Sequence, residues 1–204
     1  LLDLLACPTC GGDILLAYAS KYEEKEIIEG VLTCKKCDRE YKVVRGVPRF
    51  SDLAKIEADK AETAENFGWQ WTHFTQEDPK YNDQFLGWIQ PVKPEFFEGK
   101  VVLEGGCGKG RHTKLAAQWG AKEVVGIDLG DGVESAFALT REMPNAHIIQ
   151  CDIFKLPLKK VFDYAFSVGV LHHTPDPKKA FLSLASKVQK GGHISAWVYG
   201  AENN

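Results

Sequence analysis

The run VVLEGGCGKG, Val101 to Gly110, constrains the fold more than any other part of this 204-residue chain. An apolar strand ends in an acid, Glu104, and opens into a loop with four glycines in six residues before a helical segment from Lys109 to about Trp119. Glycines at a strand-to-helix junction let the backbone turn tightly and let a ligand lie against bare amides at the helix N-terminus, where the dipole is positive. A nucleotide-like cofactor is implied, and the spacing excludes two kinds. Gly105, Gly106, Gly108 and Gly110 lack the terminal glycine of a dinucleotide fingerprint, and Lys109 is followed by Gly110 rather than the Ser or Thr of a phosphate loop.

Downstream, strand and helix alternate. Strands are expected near 100–104, 122–128, 147–151, 161–168 and 192–199, with helices near 109–119, 131–142 and 176–189. That alternation predicts a doubly wound parallel sheet with helices on both faces and ligands at the carboxyl ends of its strands. Asp128 closes the second strand, where such a sheet places an acid against a ribose diol. The third strand ends at Cys151-Asp152 in HIIQCDIFKLPL, and the fourth runs into FDYAFSVGVLHHTPDP.

Taken in order, these motifs resemble class I methyltransferases that use S-adenosylmethionine, whose loop reads E-x-G-C-G-x-G; the GVLHHTPDP run resembles the small-molecule and quinone branch. The resemblance implies a Rossmann-like α/β fold. It assigns Glu104 and the amides around Gly105, Gly106, Cys107 and Gly108 to the methionine moiety, whose ammonium and sulfonium suit an acid. Asp128 would grip the ribose hydroxyls, Asp152 the adenine amine and the Ile153 amide a ring nitrogen, with Leu129 and Ser167 completing the cofactor set. His172 and His173 are the catalytic candidates near the methyl, either as base or as positioning groups. Family members normally add two further strands after the fifth. Because the sequence ends in GGHISAWVYGAENN and lacks an initiator Met, a longer parent protein is expected.

The N-terminal region carries a second signature. Cys7 and Cys10 in CPTC and Cys34 and Cys37 in CKKC form two C-x-x-C knuckles separated by 23 residues, a spacing that suits one tetrahedral zinc better than disulfides. An all-sulfur site is closed and structural, and it would fold a segment too small for a core of its own. The intervening Lys/Glu-rich stretch, 21–29, predicts an extended hairpin. LLDLLACPTCGG and CKKCDREYKVVRGVPRF resemble the zinc-ribbon activators of tRNA, ribosomal RNA and release-factor methyltransferases, which implies a docking or RNA-engaging module. Three regions follow: a ribbon over 1–50, a helical linker and cap over 51–98, and a cofactor-binding domain over 99–204. In the linker, Trp69, Trp71 and Phe74 are expected to wall the acceptor pocket, and Tyr81 to Ile89 shows apolar residues at helical spacing.

Composition narrows the acceptor. A net charge of -3 and a pI near 6.1 give no nucleic-acid footprint, and no apolar run approaches the roughly 18 residues of a membrane span. A cytoplasmic protein is expected. No [DN]-P-P-[YFW] tetrapeptide of exocyclic-amine methylation follows the fourth strand; SVGVLHH stands there. The GVLHHTPDP resemblance, together with the acidic pI, therefore favours a small-molecule, lipid or sugar acceptor. A ribosomal or transfer RNA methyltransferase is the alternative, and a non-catalytic scaffold the reading from another class.

Overall fold

A computed structural model describes residues 1–24, 26–51 and 80–200; most of the expected helical linker, with the aromatic wall of Trp69, Trp71 and Phe74, lies outside them. Within the described residues the strands are β1 (Ile14–Glu23), β2 (Glu26–Cys34), β3 (Glu40–Val44), β4 (Val47–Arg49), β5 (Val101–Gly105), β6 (Glu123–Asp128), β7 (Ala146–Gln150), β8 (Phe162–Val168) and β9 (Val188–Trp197). The α-helices are α1 (Lys80–Trp88), α2 (Arg111–Gln118), α3 (Gly132–Thr140) and α4 (Pro177–Ala185).

The strands form one sheet in the order β1-β2-β3-β4-β7-β6-β5-β8-β9. Its five-stranded C-terminal part is parallel; β5 to β8 are largely buried, and β9 is a more exposed edge. Successive residues alternate between two cores, as strand geometry requires. Val102, Val124, Ile148 and Tyr164 turn to one face, and Val102, Val124 and Tyr164 pack there with Phe85, Phe97 and Leu115. Leu103, Val125, Ile149 and Ala165 turn to the other, with Ala180 and Leu184 of α4. Helix α4 begins where the sequence signals it: Asp176 caps the helix by accepting from the Lys179 amide at 2.9 Å, and Pro177 occupies the first turn.

Two expectations change. The last helix stops at Ala185 instead of running to 189, and Val188 already pairs with Phe162 at the start of a longer β9. The pairing is irregular there because β9 passes close to β8; a Cβ on Gly192 would lie 2.7 Å from the Asp163 carbonyl oxygen, which only glycine avoids. The ribbon also shares the domain's sheet. Its hairpin and β3–β4 unit are antiparallel, but β4 adds in parallel to β7 through Arg49 opposite Gln150, with the Phe50 amide donating to the Gln150 carbonyl at 2.8 Å. A second attachment runs through Leu5 and Leu158, flanked by Ala6 N–H to Pro157 O and Lys159 N–H to Leu4 O, both 2.9 Å. No helix among the described residues is long and apolar enough to cross a membrane.

Candidate functional site

The carboxyl ends of β5, β6, β7 and β8 open onto a cleft of about 370 Å³. Of the residues expected to hold a cofactor, Gly106, Cys107, Gly108, Asp128, Leu129, Asp152 and Ile153 line it, as does His173. Their order follows the sheet. Asp152 stands after β7, Asp128 ends β6, and the glycine loop follows β5.

Asp128 braces this wall. One carboxylate oxygen accepts from the Gly108 amide at 2.8 Å and the other from the Gly130 amide at 2.9 Å. Burial raises its carboxyl above the ordinary aspartate value, against the lowering pull of the Gly130, Gly108 and Leu129 amides. The two carboxylate oxygens carry four lone pairs between them, so beside these amides the group keeps acceptor capacity for a ribose hydroxyl. Asp152 accepts from the Phe154 amide at 2.9 Å, which fixes the turn beneath Ile153.

The glycine loop differs from the expectation in one respect. The Gly106 and Cys107 amides both donate to the Ile127 carbonyl, at 2.8 and 2.9 Å, and the Gly108 amide is held by Asp128. The loop therefore offers a ligand close approach more than spare donors. Glu104 is buried behind the wall, where it meets His112 Nδ1 at 3.2 Å and accepts from the Thr113 hydroxyl. Gly105 is packed in β5, and Ser167 is fully buried with its hydroxyl donating to the Gly105 carbonyl at 2.7 Å. Strand parity turns Ser167 inward, so it braces β5 against β8 and does not face the cleft.

The two histidines of the LHH turn also separate. His173 lines the cleft; His172 lies behind it, its ring 4.0 Å from that of His173 and 4.5 Å from that of Tyr199. Desolvation holds both imidazoles below the ordinary histidine value, with the His173 charge adding to the effect at His172. Both are neutral near pH 7. Sequence reasoning missed Trp88, Arg111, His112, Trp197 and Tyr199, all of which line the cleft. Trp88 lies 4.9 Å from Trp197, which lies 5.1 Å from Tyr199, so helix α1 and the end of β9 supply an aromatic wall. The aromatic residues in YNDQFLGWI and SAWVYG were the available signal.

In the ribbon the sulfur atoms of Cys7, Cys10, Cys34 and Cys37 all lie within 4.8 Å of one another. Cys7 and Cys37 are 3.8 Å apart, and Cys10 and Cys34 are 3.4 Å apart. A tetrahedral zinc with Zn–S bonds of about 2.3 Å sets its sulfurs about 3.8 Å apart, so the four residues fit the ion. Burial opposes the Cys7 thiolate, yet the Tyr41 hydroxyl 3.1 Å away and the amides of Thr9 and Cys10 outweigh it and lower the thiol to about 6. Such a thiol is a ready metal ligand.

Comparison with known proteins finds two families along the chain. Residues 103–196 match the family described as methyltransferase domain, and residues 1–46 match Trm112p-like protein. The tRNA U34 carboxymethyltransferase of Pseudoalteromonas translucida is 34% identical over 115 residues, covering 55% of this chain and 34% of that protein. Its counterpart from Idiomarina loihiensis is 36% identical over 113 residues, covering 52% and 35%. The aligned stretch thus spans about a third of those relatives' length. Among solved structures, a complex of the Haloferax volcanii Trm112 methyltransferase activator with a putative methyltransferase shares the fold at a TM-score of 0.54 and 19% identity, covering 66% of this chain and 58% of that one.

Proposed function

We infer, from a chain whose residues 103–196 are a class I methyltransferase domain and whose residues 1–46 are a Trm112p-like zinc ribbon, that the protein alkylates a transfer RNA with S-adenosylmethionine as donor. The observation that carries the cofactor reading is the ordered row of Asp152, Asp128 and the glycine loop along one cleft, which matches the sequence adenine, ribose, methionine in the ligand. A methyl on a sulfonium is already activated, so the protein has mainly to align the acceptor and exclude water. Asp128 orients the ribose, Asp152 and the Ile153 amide receive the adenine edge, and the aromatic wall of Trp88, Trp197 and Tyr199 gives an acceptor ring a surface to stack on. Where the acceptor must lose a proton, His173 is the neutral base at the cleft.

The acceptor reading rests on the relatives, whose names specify tRNA U34. It replaces the small-molecule, lipid or sugar acceptor favoured from sequence. The run behind that preference, GVLHHTPDP, forms the turn beside the cofactor end of the cleft, which any acceptor would meet, so it does not discriminate. A tRNA acceptor places the protein in the cytoplasm. It also gives the ribbon's docking role an internal reading, since here the ribbon docks on its own domain. The relatives' names specify a carboxymethyl group, and the transferred group is therefore part of the test.

Calorimetric titration of the zinc-loaded protein with S-adenosylhomocysteine, beside an Asp128→Ala control, tests the cofactor site. Binding that the control loses supports it, and absence of binding in both overturns the enzyme reading in favour of a scaffold. Incubation with bulk tRNA and donor, followed by nucleoside mass analysis, then reads the acceptor. A modified wobble uridine is expected, its mass distinguishing methyl from carboxymethyl; transfer to small molecules but not tRNA sinks the RNA reading.

A further inference from the structure

The family resemblance assigns Glu104 to the methionine moiety of the cofactor, but the fold puts another group in the way. Both Glu104 oxygens are engaged inside the protein, one by His112 Nδ1 at 3.2 Å and one by the Thr113 hydroxyl, and the carboxylate is not part of the cleft wall. His112 is part of that wall. Its ring lies flat on Phe85, with centroids 4.3 Å apart and planes 15° apart, and meets Trp88 edge-on at 6.1 Å. The side chain is 12% exposed, so packing and Glu104 together fix its position.

The contact with Glu104 bears on the tautomer. A carboxylate oxygen accepts, so when Nδ1 donates to Glu104, Nε2 of a singly protonated imidazole is left as an acceptor. That nitrogen is buried and has no hydrogen-bond partner among the described residues. Buried acceptors in native proteins are satisfied, and an exception points to a missing ligand. The ring stands at the start of α2, beside the carboxyl end of β5, where the order along the sheet puts the methionine end of the cofactor.

We propose that His112, held by Glu104, is the residue that receives the α-ammonium of the cofactor, with Nε2 accepting one of its N–H groups. Glu104 then acts through the imidazole: it sets the tautomer and lends its negative charge to the ring without touching the ligand. Glu104 is thus a positioning residue and His112 a cofactor-binding residue. The assignment rests on the S-adenosylmethionine reading above.

The test compares two probes that differ in one part. S-adenosylhomocysteine carries the amino-acid end; 5′-methylthioadenosine keeps the adenosine and sulfur but lacks it. Wild-type protein is expected to prefer the first. His112→Asn keeps an amide donor at the Nδ1 position for Glu104 and removes the acceptor at Nε2, so the wall stays in place while the contact is lost. It should bind S-adenosylhomocysteine about tenfold or more weakly, the scale of a hydrogen bond to a charged group, and bind 5′-methylthioadenosine as wild type does. His112→Gln, whose carboxamide reaches the Nε2 position, should recover part of the loss. An unchanged S-adenosylhomocysteine affinity in His112→Asn overturns the proposal, as expected if His112 were a base acting on the acceptor. Equal weakening toward both probes overturns it too, because the residue would then shape the cleft as a whole. Wild-type binding of both probes with equal affinity defeats the ammonium contact alone; wild-type binding of neither defeats the cofactor reading beneath it.

Discussion

Asp128 does two jobs with one carboxylate, and the geometry makes both testable at once. Its oxygens tie the β5 loop to the β6 loop through the Gly108 and Gly130 amides while facing the cleft. Asp128→Asn can accept from one amide but presents an NH₂ group to the other. The variant should lose roughly 1–3 kcal/mol of folding stability, the range for an unsatisfied buried donor, and bind S-adenosylhomocysteine at least about tenfold more weakly, as titration and denaturant unfolding would show. Wild-type affinity in the variant would remove Asp128 from the ribose. His172 makes the opposite case. Both its ring nitrogens are buried without a hydrogen-bond partner, and its ring packs at a tilt against those of His173 and Tyr199. Replacing an unpaired polar ring by an apolar one of similar shape is close to neutral, so His172→Phe should fold as well as wild type near pH 7. Acid separates the two proteins. Desolvation and His173 hold the folded imidazole below its ordinary value, so the unfolded chain takes up the proton more readily. The stability tied to the neutral ring is whole above about pH 6.5 and falls as pH drops toward the folded value. Melting curves across that window should show a shallower acid decline for His172→Phe, and identical slopes would mean the ring titrates normally.

The β3–β4 turn decides how the ribbon sits on the domain. Gly46 has φ of +82°, and a Cβ there would come within 2.3 Å of the Phe137 ring on α3. Beside it, Glu134 of α3 binds Arg45 and, at 3.1 Å, Arg49, whose other arm reaches the Gln150 side chain at 2.9 Å. Gly46→Ala should therefore cost about 1–2 kcal/mol from the backbone alone and more from the collision. Pairing it with Phe137→Ala should give a loss smaller than the sum of the singles, because the second change removes the clash. Additive losses would show that the turn and helix do not press on one another. This contact also marks where sequence reading stopped. Strands β5 to β8 were legible because each is a short, largely buried run rich in apolar residues, and the metal knuckles because Cys-x-x-C is local. Glu104 was legible as an acid at a strand end, but the capture of its oxygens was not, since His112 and Thr113 return to it from the first turn of α2, beyond the loop. The join of β4 to β7 was hidden for a similar reason: Arg49 and Gln150 lie 101 residues apart, and no local pattern encodes that pairing.

Sharing one sheet gives the ribbon a say in the cofactor site. Cys7, Cys34, Ile14 and Leu32 of the ribbon belong to the same buried cluster as Ile149, Cys151 and Leu158 of the domain. The strand the ribbon covers, β7, runs straight into Cys151 and Asp152 at the cleft. Without the ribbon, β7 would become an exposed edge and one wall of the site would lose its backing. The energies involved are large enough to matter: structural zinc contributes about 10–16 kcal/mol to folding of small sites, comparable with the whole stability of a domain at about 5–15 kcal/mol. Removing zinc with a chelator should therefore lower the melting temperature of the entire molecule in one transition and weaken S-adenosylhomocysteine binding in step. Cys34→Ser should do the same without chelator. An independent ribbon would behave otherwise, melting in a separate early step and leaving the cofactor affinity untouched. Calorimetry on the zinc-loaded and zinc-free protein separates these outcomes, because coupling through β7 requires the metal and the cofactor, bound at different places on one sheet, to stabilise the same folded unit.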